Sequence, residues 1–382
     1  MKLVDSWSGR HRMQVFVISA ATFMTAFLLL CASGNPGESP TSDWQAEWQR
    51  VAAGAKKEGR VVVSVPPSAE LRKALQEGFE KRYGIELELV TGRGSAIVKK
   101  IADEHRAGVH YFDVHTGGSG SIIYGLAGIV DPVEEQFILP AVRDPKNWWG
   151  GHLYVDKTQR YAYSFLAFVQ EAIWYNTDLM KPEEVRSYDD LLHPKWKGKI
   201  GYSDPRAGGA GQGNWTFLWK TRGEDFLKKL VQQKPIIMRE ERPLAELLVK
   251  GSVAITIGLD IDNFGAFVKA SLPVKPLPQL KDGTYPVTGS GTLAVIKNRP
   301  HPDATKVFIN WFLSREGQET YQKALGEPTR RLDVDPPKEP YAVRPAREFL
   351  TVEQYHQLES HSEEKQESIR KPAIAAAKRL LE

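Results

Sequence analysis

Cysteine is almost absent: Cys31 is the one cysteine in 382 residues. That excludes an intrachain disulfide framework and a cysteine-rich metal site. The nine histidines form no HxxxH or HxH pair, so a built-in zinc site is not expected either. No GxGxxG follows a strand-like run and no GKS or GKT occurs, which removes the dinucleotide and P-loop fingerprints. GxSxG is missing, as is a credible Ser-His-Asp set. No cofactor and no enzymatic activity are expected. A large excess of one charge is missing as well. Lys and Arg number 51 against 47 Asp and Glu, a formal net charge of +4, and half of it comes from Lys2, Arg10 and Arg12 against Asp5 at the N-terminus. The rest is too weakly basic for a nucleic-acid partner, and the cluster HPKWKGK (193–199) reads as solvated surface. No repeat of fixed period occurs.

What is present is the composition of an exported globular protein. With 41% hydrophobic and 26% charged residues, the chain is long enough for two domains. Lys2, Arg10 and Arg12 precede an uncharged apolar run of eighteen residues, VFVISAATFMTAFLLLCA (15–32), followed by the turn-forming SGNPGESPTSDW. This is the order of a secretory signal. The run is long for a signal core and short for a comfortable membrane span. Two readings are open: cleavage after Ser33 or Gly34, or lipid attachment at Cys31, where Leu30 occupies the position a lipobox reserves for a small residue. Either places the remainder outside the cytoplasm, in the periplasm or on the outer side of a membrane. Residues 35–44 read as a flexible tether.

Beyond the tether, strands and helices alternate. EGRVVVSVPP (58–67) holds a β-branched run ended by two prolines. Leu71, Ala74, Leu75, Gly78, Phe79 and Tyr83 then form one apolar helical face, Gly84 stops it, and IELELV alternates as a strand. Strand, helix and strand in so short a span make a βαβ unit with parallel neighbours. TGRGS (91–95) opens a further helix, and FDVHTGGSGS (112–121) is a strand entering a small-residue loop. LAFVQEAIWYN (166–176) reads as strands broken by a turn. SYDDLLHPKWKGKIGYSD (187–204) reads as a short helix, a basic turn and a strand. Helical patterns cover 211–221, 223–233 and 242–250, and GSVAITIGLD and GTLAVIKN are strands. HPDATKVFINWFLSREGQETYQKAL (301–325) is expected as one long amphipathic helix. The class is α/β.

In parallel α/β sheets, ligands bind beyond the carboxyl ends of the strands. The segments there are SVPPSAE, TGRGSA, HTGGSGS, SDPRAGGAGQG and GLDIDNFG. Four of the five are rich in small residues, which let backbone N–H groups approach an anion. Each alone could be a tight turn; together they suggest a polar cleft. The candidate ligand-binding residues are Ser68, Arg93, Gly94, Ser95, Gly117, Gly118, Ser119, Tyr161, Arg206, Ala207, Gly208, Gly209, Asp260 and Asp262. Arg206 adds charge to a bound oxyanion or makes a surface ion pair. Asp260 and Asp262 are an acid–base pair or caps of a turn or helix. Tyr163, Trp148 and Trp149 are candidates for the cleft wall or for the core.

The strings EGRVVVSVPPSAELRKALQEGFEKRYGIELELVTGRGS, FDVHTGGSGS, WYNTDL, SYDDLLHPKWKGKIGYSDPRAGGAG and GTLAVIKNRPHPDATKVFINWFLSREGQETY resemble the extracellular solute-binding proteins of bacterial ABC importers, over residues 55–330. The group is that of the ferric-iron-binding and related type II periplasmic binding proteins. The resemblance implies a two-lobed α/β fold of periplasmic-binding-protein type II, with a ligand cleft between lobes joined by crossover strands. It divides the chain into a signal peptide or membrane anchor (1–34), a linker and first helix (35–54), lobe 1 (55–160 plus 285–335), lobe 2 (161–284) and a helical tail on lobe 2 (336–382). It implies a monomer that captures a small solute, either ferric iron with a synergistic anion or a small anionic organic molecule. The partners would be an ABC permease and its ATPase. The loop RAGGAG corresponds to the one that offers N–H groups to that anion in iron-binding members. The sequence departs from those members where paired tyrosines are expected: the stretch after VAITIG is LDIDNFG. Ferric iron favours hard oxygen donors, which Asp260 and Asp262 are. The alternatives are an exported enzyme on the same scaffold, using Asp260, Asp262 or His115, and a sensor subunit of a membrane receptor.

Overall fold

The structure, a computed structural model, describes residues 43–92, 94–169, 173–259, 261–338 and 342–382. The signal-like segment with Cys31, most of the tether, Arg93 and Asp260 lie outside the described residues, as does the side chain of Asp262. Among the described residues no helix is long and apolar enough to cross a membrane.

The helix Asp43–Glu58 leads into β1 (Arg60–Val65), whose valines are buried. The helix Ala69–Tyr83 follows, capped by the Ser68 hydroxyl at its start and by Gly84, at φ 64°, at its end. Then come β2 (Glu86–Thr91), β3 (Val114–Gly117), β4 (Val130–Asp131) and β5 (Tyr163–Ser164). The chain next passes through β6 (Phe168–Val169) into β7 (Ile173–Asn176), β8 (Ile200–Ser203), β9 (Ile236–Met238), β10 (Ile255–Ile257) and β11 (Val274–Pro276). It returns through β12 (Pro286–Val287) to β13 (Thr292–Ile296), and β14 (Arg344–Pro345) comes last.

These strands form three sheets. The first runs β2-β1-β3-β13-β4, with β5 also on β13; β1 is parallel to β2 and β3, and β13 is antiparallel to its neighbours. The second runs β11-β7-β10-β8-β9, with β8, β9 and β10 parallel. The third, β12-β6-β14, is a short antiparallel ladder made from the two crossing segments, β6 and β12, and from β14 of the C-terminal segment. Each large sheet has its own apolar core, one around Val63, Phe79, Phe308 and Trp311, the other around Tyr202, Trp215, Leu218 and Ile255.

Three expectations need correction. Because β5 pairs with β13, the chain stays in lobe 1 as far as Ser164 and does not leave it at residue 160. The stretch 301–325 is two helices, Pro302–Phe312 and Arg315–Leu325. The Ser314 hydroxyl caps the second by accepting from Gly317 N–H, and a Cβ on Gly317 would lie 2.3 Å from the Trp311 carbonyl, so the corner is too tight to continue the helix. The C-terminal segment, expected on lobe 2, packs on both lobes. Trp215 Nε1 donates to the Ala373 carbonyl at 2.9 Å and Arg379 pairs with Glu224 on lobe 2. On lobe 1, the Ser119 hydroxyl donates to the His361 carbonyl and Tyr124 to Glu367, while Glu363 N–H reaches the Val155 carbonyl.

Candidate functional site

A cavity of about 1190 Å³ opens between the lobes, beside the crossover ladder. From lobe 1 it is lined by Gly94 and Ser95, the first residues of the helix Gly94–Arg106, and by Gly118 to Ser121 after β3. From lobe 2 come Ala207 to Ala210 and Gln212, where β8 passes into the helix Gly209–Gln232. Thr288 and Gly289 form the hinge side, and Ser360, His361 and Arg370 enter from the C-terminal segment.

The local reason for the glycine run 208–213 divides in two. Gly208 (φ 97°) and Gly209 (φ 69°) turn the chain into the helix through backbone angles that other residues rarely adopt. Gly211 serves close packing: a Cβ there would lie 2.3 Å from the Ser203 carbonyl. The first turn of the helix is thereby seated on the ends of β8 and β10. Two helical segments, Gly94–Arg106 and Gly209–Gln232, the latter broken at Gly223 (φ 78°) into the two stretches expected there, thus begin at the cavity wall, from opposite lobes. The first N–H groups of a helix have no partner within it and carry partial positive charge, which suits an oxyanion.

The expected residues separate under this geometry. Gly94, Ser95, Gly118, Ser119, Ala207, Gly208 and Gly209 share the cavity wall. Ser119 spends its hydroxyl on the His361 carbonyl. Four others do not line it. Ser68 caps a helix through Leu71 N–H, and Gly117 is buried in the β3 ladder opposite Thr292. Tyr161 lies under the Arg160 guanidinium. Arg206 is the fourth: its Nε and Nη2 donate to the two oxygens of the buried Asp204 carboxylate at 2.8 and 2.9 Å. That pairing holds the Asp204 carboxyl below its usual range, and Arg206 Nη1 reaches the Leu381 carbonyl. The guanidinium is thus a structural clamp at the mouth of the loop, not a wall of the cavity. Trp148 and Tyr163 are in the lobe 1 core and Trp149 packs edge-on to Tyr355, so none of the three walls the cleft.

Sequence reasoning missed the C-terminal contribution. The Arg370 side chain lines the cavity, and its Nε is buried with no hydrogen-bond partner. His361 also lines it, but its Nε2 is bonded to the Tyr355 hydroxyl and burial lowers its pKa to about 4, so the ring is neutral. Among the described residues, those that line the cavity include three cationic side chains, Lys323, Lys338 and Arg370, and one acid, Glu327, which accepts from Ser290 N–H. The signal was available as a basic residue in a polar tail, but nothing in the local pattern shows which way it points.

The donor set does not resemble a tyrosinate iron site. Among the described residues, no tyrosine lines the cavity, and no group of three or more His, Cys, Asp or Glu able to hold a metal occurs. His115, considered as an enzymatic base, is buried in the sheet with Nδ1 on the Ser64 hydroxyl at 2.8 Å. Burial lowers its pKa to about 4, and it does not line the cavity, so it meets no solute.

Comparison with known proteins agrees with this architecture. An IdiA/FutA protein of Trichodesmium in complex with iron and citrate is similar at 18% identity and TM-score 0.65, covering 84% of this chain and 99% of that one. AfuA of Actinobacillus pleuropneumoniae with exogenous fructose-6-phosphate bound is similar at 18% identity and TM-score 0.59, with the same coverage. An uncharacterised protein of Haemophilus influenzae is 22% identical over 283 residues, 70% of this chain and 77% of its own length. The family described as bacterial extracellular solute-binding protein matches residues 64–319. The chain therefore belongs to the bacterial extracellular solute-binding proteins, the non-enzymatic solute-capturing components of ABC uptake systems.

Proposed function

We propose that the interlobe cleft captures a small organic solute carrying an oxyanion group, a phosphate monoester or a carboxylate, and that lobe closure presents the loaded form to a permease driven by an ATPase. The observation that carries this reading is the cavity between the lobes, where the first turns of two helices meet an unpaired guanidinium. Its volume of about 1190 Å³ leaves room for an organic molecule. The fructose-6-phosphate held by AfuA is a solute of this kind. The protein would act as a monomer on the outer side of the membrane, its leader cleaved or retained as an anchor.

A second reading, ferric iron with a synergistic anion, is favoured by the likeness to the Trichodesmium protein, whose ligands are iron and citrate. Asp262 and Asp260 would then be the hard donors. A thermal-shift screen of the chain from Asn35 onward separates the two. Sugar phosphates and carboxylates are tested beside ferric citrate and metal-free citrate. A binder at a hundred times its dissociation constant adds about 2.7 kcal/mol of stability. Stabilisation by metal-free anions is the expected result; stabilisation by ferric citrate alone would establish the second reading instead.

A further inference from the structure

Most buried or half-buried arginines of this protein have their charge engaged. Arg330 is fully buried, yet its Nη groups donate to the carbonyls of Ser164, Trp149 and Gly151. Arg331 pairs with Asp333 and donates to two further carbonyls. Arg347 donates to the carbonyls of Thr329, Arg331 and Val334. Arg299 has Asp131 and Gln136.

Arg370 breaks this pattern. It is half-buried at the cavity wall; like Arg299 and Arg330 it has a buried Nε without a partner, but unlike theirs its Nη groups make no hydrogen bond, and no carboxylate lies within ion-pair distance of it among the described residues. The acid nearest in effect is Glu359, whose oxygens already accept from the N–H groups of His361 and Ser362 and from the Ser362 hydroxyl. A guanidinium keeps its proton at any accessible pH, so the group must be met as a cation. Only its Nε is sealed from water, and the rest of the group faces the cavity, free to meet a ligand there.

The backbone at this point is also held in place. Gln366–Arg370 is a π turn leading into the helix Lys371–Leu381, and such widened turns recur at functional sites. The turn is pinned to lobe 1: Gln366 Nε2 and the Ser119 hydroxyl both donate to the His361 carbonyl, and a Cβ on Gly120 would lie 2.7 Å from Gln366 Oε1. It is pinned to lobe 2 through Ala373 and Trp215.

We propose that the C-terminal segment is a third wall of the ligand site, and that Arg370 is the charge partner of the solute's oxyanion, gripping a phosphate or carboxylate through its planar fork. This rests on the reading of the cleft as an anion-binding solute site. It adds that the charged contact comes from the C-terminal segment, outside both lobes.

The test compares wild type, Arg370→Gln and Arg370→Lys, each from Asn35 onward. Fructose 6-phosphate, citrate and fructose are titrated by calorimetry, and the melting temperature is measured without ligand. Wild type should bind fructose 6-phosphate or citrate and ignore fructose. Arg370→Gln should lose at least about 30-fold in affinity for that anion, as expected for a charged hydrogen-bonded contact. Arg370→Lys should fall between, because it keeps the charge and loses the fork. The ligand-free melting temperature of Arg370→Gln should be unchanged or higher, since the substitution removes no hydrogen bond or ion pair seen among the described residues. Equal affinity of wild type and Arg370→Gln overturns the role of Arg370 and leaves the cleft standing. A lower ligand-free melting temperature marks a structural arginine and overturns it too. Failure of wild type to bind either anion removes both readings.

Discussion

Gly258→Ala should destabilise the protein by about 2–5 kcal/mol, through overpacking of about 1–3 kcal/mol and left-handed strain of about 1–2 kcal/mol. Gly258 follows β10 with φ 83°. A Cβ there would lie 2.4 Å from the Gly211 Cα and 2.8 Å from the Gly211 nitrogen, both backbone atoms that cannot rotate away. Gly211 is hemmed in as well, on its other side, with the Ser203 carbonyl at 2.3 Å from its own Cβ position. Two strand ends and one helix start meet at a point where neither glycine leaves room for a methyl group. The same point positions Gly208 to Ala210 on the cavity wall, so solute binding should weaken along with stability. Urea unfolding followed by circular dichroism measures the first effect. A loss below about 1 kcal/mol, within the range of ordinary surface substitutions and minor repacking, would contradict the account of this corner.

Arg330→Met should cost a similar amount, about 3–5 kcal/mol, by the mechanism of buried polar groups left unpaired. The side chain is 2% exposed and has no acidic partner. Its charge is met by three carbonyl dipoles: Ser164 at 2.7 Å on β5, Trp149 at 2.5 Å and Gly151 at 2.7 Å. Methionine fills much of the space yet offers no donor, so three carbonyls would face an apolar neighbour. Because Ser164 lies where the chain leaves lobe 1 for the crossover, the loss should be accompanied by faster proteolysis at the crossover. Denaturant unfolding with limited proteolysis reads both. Unchanged stability would mean that these carbonyls find water, and the proposed brace would fall.

Much of the architecture is legible in the residues because local pattern and tertiary need coincide there. The valines of β1, the capped helix that ends at Gly84 and the alternating β2 give a parallel pair whose register follows Arg60 to Glu86 through Val65 to Thr91. The small-residue segments after β3 and β8 were readable as wall because Gly118, Ala207 and Gly208 follow strand ends in sequence as well as in space. The long helix at 301–325 was misread because its apolar periodicity runs on through Ser314, and a cap is a backbone event that periodicity does not record. Of the two readings open for Arg206 the structure shows the ion pair, but its partner Asp204, two residues away, is drawn inward and buried, which the local pattern does not reveal. Arg370 was invisible for the opposite reason. It lies far from every strand end, in a polar segment whose packing on two lobes is decided by distant partners such as Trp215 and Ser119.

Hydrogen–deuterium exchange of the chain from Asn35 onward, with and without the tightest metal-free binder found by the thermal-shift screen, tests the central claim directly. The amides of 94–98, 118–121, 207–212 and 366–370 should slow together, since one solute would touch all four segments as the lobes close on it. Protection confined to a single lobe, or to residues that do not line the cavity, would contradict it.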